Sequence, residues 1–265
     1  MADTVVVEQT DAVTTITLNR PSALNAINAD LASELFHTLA TVERDDSVRC
    51  VILRGSGGHF MAGGDLKHFF GEIERPPEDR RRYFELFVGQ VHPIIQSLRR
   101  MPKPVIASVE GAAGGFGMSL MMACDLAVVA DSSFYTMAYT LIGTSPDGSS
   151  TWFLPRLVGL RKAMELALLS DRFDAATAEQ YGLVNKVVPL DTLEQETRAL
   201  AERLASGPTQ AYGNTKRLLN RSLESGLDAQ LQAEAESFSD CAGTDDFAEG
   251  ITAFVEKRAP TFKGS

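Results

Sequence analysis

Two stretches of this chain set glycine beside apolar residues: GSGGHFMAGGDLK at 55–67 and GAAGGFGMSL at 111–120, the second with four glycines in its first seven positions. Glycine costs entropy in regular structure, so such a cluster marks main chain that must come close to something. Three chemistries could use it. A dinucleotide site needs G-x-G-x-x-G, but a pattern begun at Gly115 meets Leu120 where its last glycine belongs. A serine nucleophile at Ser119 needs G-x-S-x-G; Gly117 fits and Met121 does not. All four histidines also precede residue 93, so no partner follows that serine. The third chemistry takes both turns together. Each follows an apolar strand and opens a helix, whose first N–H groups are unpaired and carry partial positive charge. Two such turns side by side aim one N–H each at a single carbonyl oxygen, which is an oxyanion hole fit for a forming enolate.

The elements that would position these turns are legible in part. VVVEQTDAVTTITLN reads as a hairpin of two β-branched strands turning at Gln9 to Ala12. Asn28 caps a helix carrying Leu31, Leu35, Leu39 and Val42. RCVILRG, KPVIASVE and DLAVVAD are continuous apolar runs, as strands buried on both faces require. A polar helix is expected from about Glu78 to Arg99, while SSFYTMAYTLIGTSPDGSS reads as irregular. From Thr151 the pattern is helical except for LVNKVVP. Asp174 caps AATAEQY, Gly182 stops it, and two amphipathic helices close the chain. Residues 1–200 thus form a strand-and-helix core, and 201–265 a helical region that needs a partner for its apolar faces.

Composition narrows the classes. At 265 residues with 44% hydrophobic content, the chain can bury a large core. No run reaches the roughly 20 apolar residues of a membrane span, and the N-terminus is unlike a secretory signal, so a cytoplasmic protein is expected. Cys50, Cys124 and Cys241 read as reduced thiols, and His37, His59, His68 and His92 have no metal-ligand spacing. No metal is expected. A net charge of −10 argues against nucleic-acid binding. The one basic run, Arg80 to Arg82, reads as a solvated helix face.

NRPSALNAIN, HFMAGGDLK, EGAAGGFGMSLMMACD and GLVNKVVP, in that order, resemble the enoyl-CoA hydratase/isomerase (crotonase) family from about Val5 to the C-terminal FVEKRAPTFKG. The resemblance implies an α/β fold, a spiral of β-β-α units, with a helical C-terminal region that builds homotrimers or homohexamers. It implies acyl-CoA thioester substrates, with coenzyme A carried on the substrate and no permanently bound cofactor. By motif position the oxyanion amides would be those of Ala62 and Phe116. Arg20, Ala23 and Leu24, then Ala62, Gly63, Gly64, Asp65 and Leu66, would lie along coenzyme A. Phe262 and Lys263 would reach the coenzyme A of a neighbouring subunit.

The family's hydratases use two glutamates, where this chain has Ser119 and Tyr139. Adding water suits two carboxylates, so a hydratase is the less expected activity. Asp147, in IGTSPDGSSTWFLPRL, matches the catalytic acid of enoyl-CoA isomerases and of phenylacetate-pathway ring-epoxide isomerases. One carboxylate suffices for a 1,3-proton shift. The same Asp-Gly pair is also an ordinary turn. The resemblance therefore implies an acyl-CoA isomerase using Asp147. Hydratase activity, aryl-CoA dehalogenase-like attack by Asp147 and an RNA-associated non-catalytic member are the alternatives.

Overall fold

The computed structural model describes residues 3–265. The chain opens on the expected hairpin, β1 (Val5–Thr10) and β2 (Val13–Leu18), antiparallel from Val5 opposite Leu18. Helix α1 (Ala29–Arg44) follows, its first turn capped by the Asn28 side chain, which accepts from the Leu31 amide at 3.0 Å. Next come β3 (Cys50–Gly55), α2 (Leu66–Phe70) and α3 (Pro77–Arg100). Then β4 (Val105–Val109), β5 (Ala112–Gly114) and α4 (Phe116–Ala123) lead into β6 (Leu126–Ala130) and β7 (Phe134–Thr136). The rest is mainly helical: α5 (Ser150–Val158), α6 (Leu160–Leu169), β8 (Phe173–Asp174), α7 (Ala175–Gln180), β9 (Lys186–Val188), α8 (Leu193–Ala205), α9 (Thr209–Ser222), α10 (Leu227–Ala242) and α11 (Asp245–Glu256).

Six strands form one sheet in the order β1-β2-β3-β4-β6-β9, parallel from β2 onward. Its central strands read as unbroken apolar runs because both faces are covered. Val51, Leu53, Val105 and Ala107 join the large core with α1 and α3, while Cys50, Ile52 and Ile106 pack with Leu193, Ala201 and Ala205 of α8. A second, three-stranded sheet is built from β5, β7 and β8. The chain alternates between the sheets: β4 gives way to β5 and then α4, and β6 to β7. This alternation makes a spiral of β-β-α units. Two isolated parallel bridges, Met61 with Ala113 and Ile27 with Gly64, continue the small sheet into the glycine-rich turns.

Two sequence expectations change here. The stretch 132–150 is not wholly irregular, since β7 lies within it. The chain after Thr151 also holds β8, besides the expected strand at LVNKVVP. These two strands, like β5 inside the second glycine-rich stretch, are three residues or fewer and carry no readable alternation. Among the described residues no helix is long and apolar enough to cross a membrane. Helices α9 to α11 expose Leu219, Leu227, Leu231, Phe238 and Phe254.

Candidate active site

Main-chain pairing holds the two glycine-rich turns edge to edge. The Met61 amide donates to the Ala112 carbonyl at 3.0 Å, and the Gly114 amide to the Met61 carbonyl at 2.9 Å. Contact this close requires glycine. At Gly117 a Cβ would lie 2.2 Å from the Met61 oxygen, and at Gly63, where φ is +107°, a Cβ would lie 3.1 Å from the Gly114 oxygen. Gly115 takes φ +49°, turning the chain out of β5 directly into α4, which is buried along its whole length.

The amide inventory corrects one expectation. The Ala62 N–H donates to the Leu24 carbonyl at 3.0 Å and is not available to a ligand. On either side of Gly64, the Ile27 amide donates to Gly63 and the Asp65 amide donates to Ile27, as a parallel bridge requires. That bridge points the Gly64 amide the other way, and no described residue accepts from it. The Phe116 amide, in the first turn of α4, is likewise unpaired. Sequence position alone could not separate Ala62 from Gly64, because the distinction depends on pairing with residues 24–27.

Gly64 and Phe116, which carry the two free amides, line a cavity of about 1250 Å³ that runs between the turns, α3 and the 138–151 loop. Its inner wall is aromatic and aliphatic, with Phe69, Phe84, Phe87, Val91 and Phe116. Phe69 meets Phe84 and Phe87 edge to face, with ring centroids 5.0 and 5.4 Å apart. The Phe116 ring is 2% exposed and packs under Gly148, where a Cβ would stand 2.6 Å from it. Gly148 (φ +56°) is therefore required by both backbone and space.

Asp147 lies on this loop and lines the cavity, the only carboxylate among the described residues that do so. The Tyr139 hydroxyl donates to its Oδ1 at 2.6 Å. Ser119 and Ser150 hydroxyls approach its main-chain oxygen at 3.1 and 3.0 Å. Burial pushes the Asp147 carboxyl above its ordinary value, and the Tyr139 hydrogen bond and the nearby charge of His92 only partly oppose that. Ser119 and Tyr139 thus both hold Asp147, one at its main-chain oxygen and one at its carboxylate.

The remaining expected site residues divide. Ala62, Gly63, Gly64, Leu66, Phe116 and Asp147 share the cavity; Arg20, Ala23, Leu24, Asp65, Phe262 and Lys263 do not line it. Arg20 pairs with Asp65 at 2.8 Å behind the first turn. Burial works to raise the Asp65 carboxyl, but Arg20 and the His68 amide outweigh it and hold it below the usual value. Asp65 also caps α2 through the His68 amide, so the pair stiffens the turn that presents Gly64. Phe262 and Lys263 lie along the chain's own α11. The Phe262 ring faces Gly250, and the Lys263 amide donates to Asp246 at 2.6 Å. Three residues that the sequence does not mark for the site also stand at the cavity: Arg80, half-exposed, and Arg81 and His92, both exposed. Only the path of α3 across the cavity reveals this, and no local pattern marks it.

The model of the family described as Enoyl-CoA hydratase/isomerase matches residues 8–265. The chain is 38% identical over 252 residues to the 1,2-epoxyphenylacetyl-CoA isomerase of Escherichia coli (strain K12), covering 95% of each. It is 35% identical to 4-chlorobenzoyl coenzyme A dehalogenase-2 of Arthrobacter sp, covering 95% of this chain and 90% of that one. The solved structure of an enoyl-CoA hydratase from Polaromonas sp. JS666 superposes with a TM-score of 0.91 at 32% identity, covering 98% of this chain and 99% of that one. The crotonase-like spiral expected from the motifs is the fold observed.

Proposed function

The chain belongs to the enoyl-CoA hydratase/isomerase family, and from that premise we propose that it is an acyl-CoA isomerase with Asp147 as its single acid–base group. The observation that carries this reading is the single carboxylate lining the cavity. A hydration catalyst built on paired carboxylates has no second acid here, whereas a proton shift needs one group that takes and returns the same kind of proton.

In the proposed reaction the thioester oxygen sits between the Gly64 and Phe116 amides. Asp147 removes a proton from the carbon next to the thioester, and the electrons move onto that oxygen as an enolate. Each amide donor is worth roughly 3 to 4 kcal/mol to such a transition state. The protonated Asp147 then delivers the proton to a carbon further along, and the oxygen returns to a carbonyl. Burial, which raises Asp147, makes it the stronger base once ionised. Arg80 and Arg81, on the rim, offer positive charge to the phosphates of coenzyme A. The exposed apolar faces of α9 to α11 suit assembly into trimers or hexamers.

The deciding experiment is a panel of 3-enoyl, 2-enoyl and aryl-CoA thioesters run with wild type and Asp147→Asn. Double-bond or ring isomerisation should fall by about a hundred- to ten-thousandfold in the variant. Equal turnover by both proteins sinks the assignment. The aromatic wall, together with the dehalogenase relative, supports a second reading in which Asp147 attacks an aryl ring. Single turnover in oxygen-18 water separates the two, because only ring attack followed by hydrolysis labels the Asp147 carboxylate.

A further inference from the structure

Asp147 is held at both ends. Its carboxylate accepts from Tyr139 at 2.6 Å, and its main-chain oxygen lies 3.1 Å from the Ser119 hydroxyl and 3.0 Å from that of Ser150. Ser119 also stands 3.2 Å from the Tyr139 oxygen and touches the Ser150 hydroxyl. Each hydroxyl has one proton to give. Tyr139 spends its proton on Asp147 Oδ1, Ser119 can satisfy the Tyr139 oxygen, and Ser150 can satisfy the Asp147 carbonyl. No other described residue donates to the carboxylate, so Oδ1 is fixed while Oδ2 keeps its full accepting capacity.

We infer that Tyr139 is a positioning residue for the proton transfer, acting through Asp147. This rests on the reading of Asp147 as the base. Tyr139 is 8% exposed and begins a tight turn whose preceding residue, Ala138, is held at φ +55°. Such a left-handed alanine is a constrained way to enter a loop, and it fixes where the ring can stand. Burial drives the phenol well above its ordinary range, so it remains a neutral donor at any working pH.

The hydrogen bond has two effects. It stops the carboxylate from rotating, and it offsets part of the burial that raises Asp147. The charged and titratable groups facing Asp147 are few. Tyr139 comes from its own loop, His92 from α3, and Arg80 and Arg81 lie further along α3 on the same cavity.

The test is Tyr139→Phe, which keeps the ring and removes the donor, measured beside wild type and Asp147→Asn. We expect kcat to fall by about tenfold to a hundredfold with little change in KM, as losing one hydrogen bond to a charged group implies. The acid limb of kcat/KM should move to higher pH by about one unit, because the carboxylate loses a group that favoured its ionised form. An unmoved limb and wild-type kcat in Tyr139→Phe, with Asp147→Asn inactive, overturns the role of Tyr139 and leaves the base assignment standing. Full turnover in Asp147→Asn overturns both. If Tyr139→Phe fails to fold, Ser119→Ala reads the same network, with a smaller shift of the same sign expected. No shift there overturns the inference.

Discussion

The Gly114 amide donates to the Met61 carbonyl at 2.9 Å, and that bond joins two turns drawn from different turns of the spiral. Because the contact is main chain to main chain, the spacing of the flanking amides does not depend on side-chain packing. A backbone site of this kind is preorganised, which makes oxyanion stabilisation effective without reorganisation during reaction.

Gly117→Ala tests that joint. The new methyl would meet the Met61 oxygen at 2.2 Å, so one turn must move. Overpacking of this kind costs about 1–3 kcal/mol. The expected result is a lowered Tm together with a kcat loss that exceeds any rise in KM. Unchanged kinetics would show that the spacing of the turns does not matter to the reaction.

A second consequence concerns stability and pH. The Asp147 carboxyl titrates above 3.8 in the folded protein, with burial the main cause. Folding then favours the protonated form, so its stabilising contribution is full below that ordinary value and fades as pH rises through the folded value. Asp147→Asn removes the cost of a buried charge while still accepting from Tyr139. The variant should melt higher than wild type at neutral pH, and the gap should close as pH falls toward about 4. A variant that melts lower at neutral pH would contradict the direction.

A third prediction separates recognition from chemistry. Arg80→Gln and Arg81→Gln should each raise KM for coenzyme A thioesters by up to about fivefold, as an exposed ion pair allows, with kcat intact. The effect should shrink in high salt. A thioester of N-acetylcysteamine, which lacks the phosphates, should be handled equally by variants and wild type. An equal KM rise for that short thioester would place the arginines in acyl recognition instead.

How much of this was legible beforehand follows physical lines. Strands β3, β4 and β6 announce themselves as apolar runs because both faces are buried, and Asn28 and Asp174 mark helix starts by their capping chemistry. The small sheet is silent, since β5, β7 and β8 are too short to carry a period. Motif resemblance points to Asp147 and Phe116, and both line the cavity. The same resemblance points to the Ala62 amide, whereas the amide without a described acceptor is that of Gly64, because which one is free depends on pairing with Leu24 and Ile27. No local pattern marks His92, Arg80 or Arg81 for the site, and only the tertiary path of α3 brings them to the cavity.

The account rests on one oxygen held by two amides, and a crystal structure with a non-reactive acyl-CoA thioester analogue measures that directly. The thioester oxygen should lie within about 3.2 Å of both the Gly64 and Phe116 nitrogens, with an Asp147 oxygen facing the adjacent carbon. An oxygen bound by neither amide, or an acyl group seated away from Asp147, would contradict it.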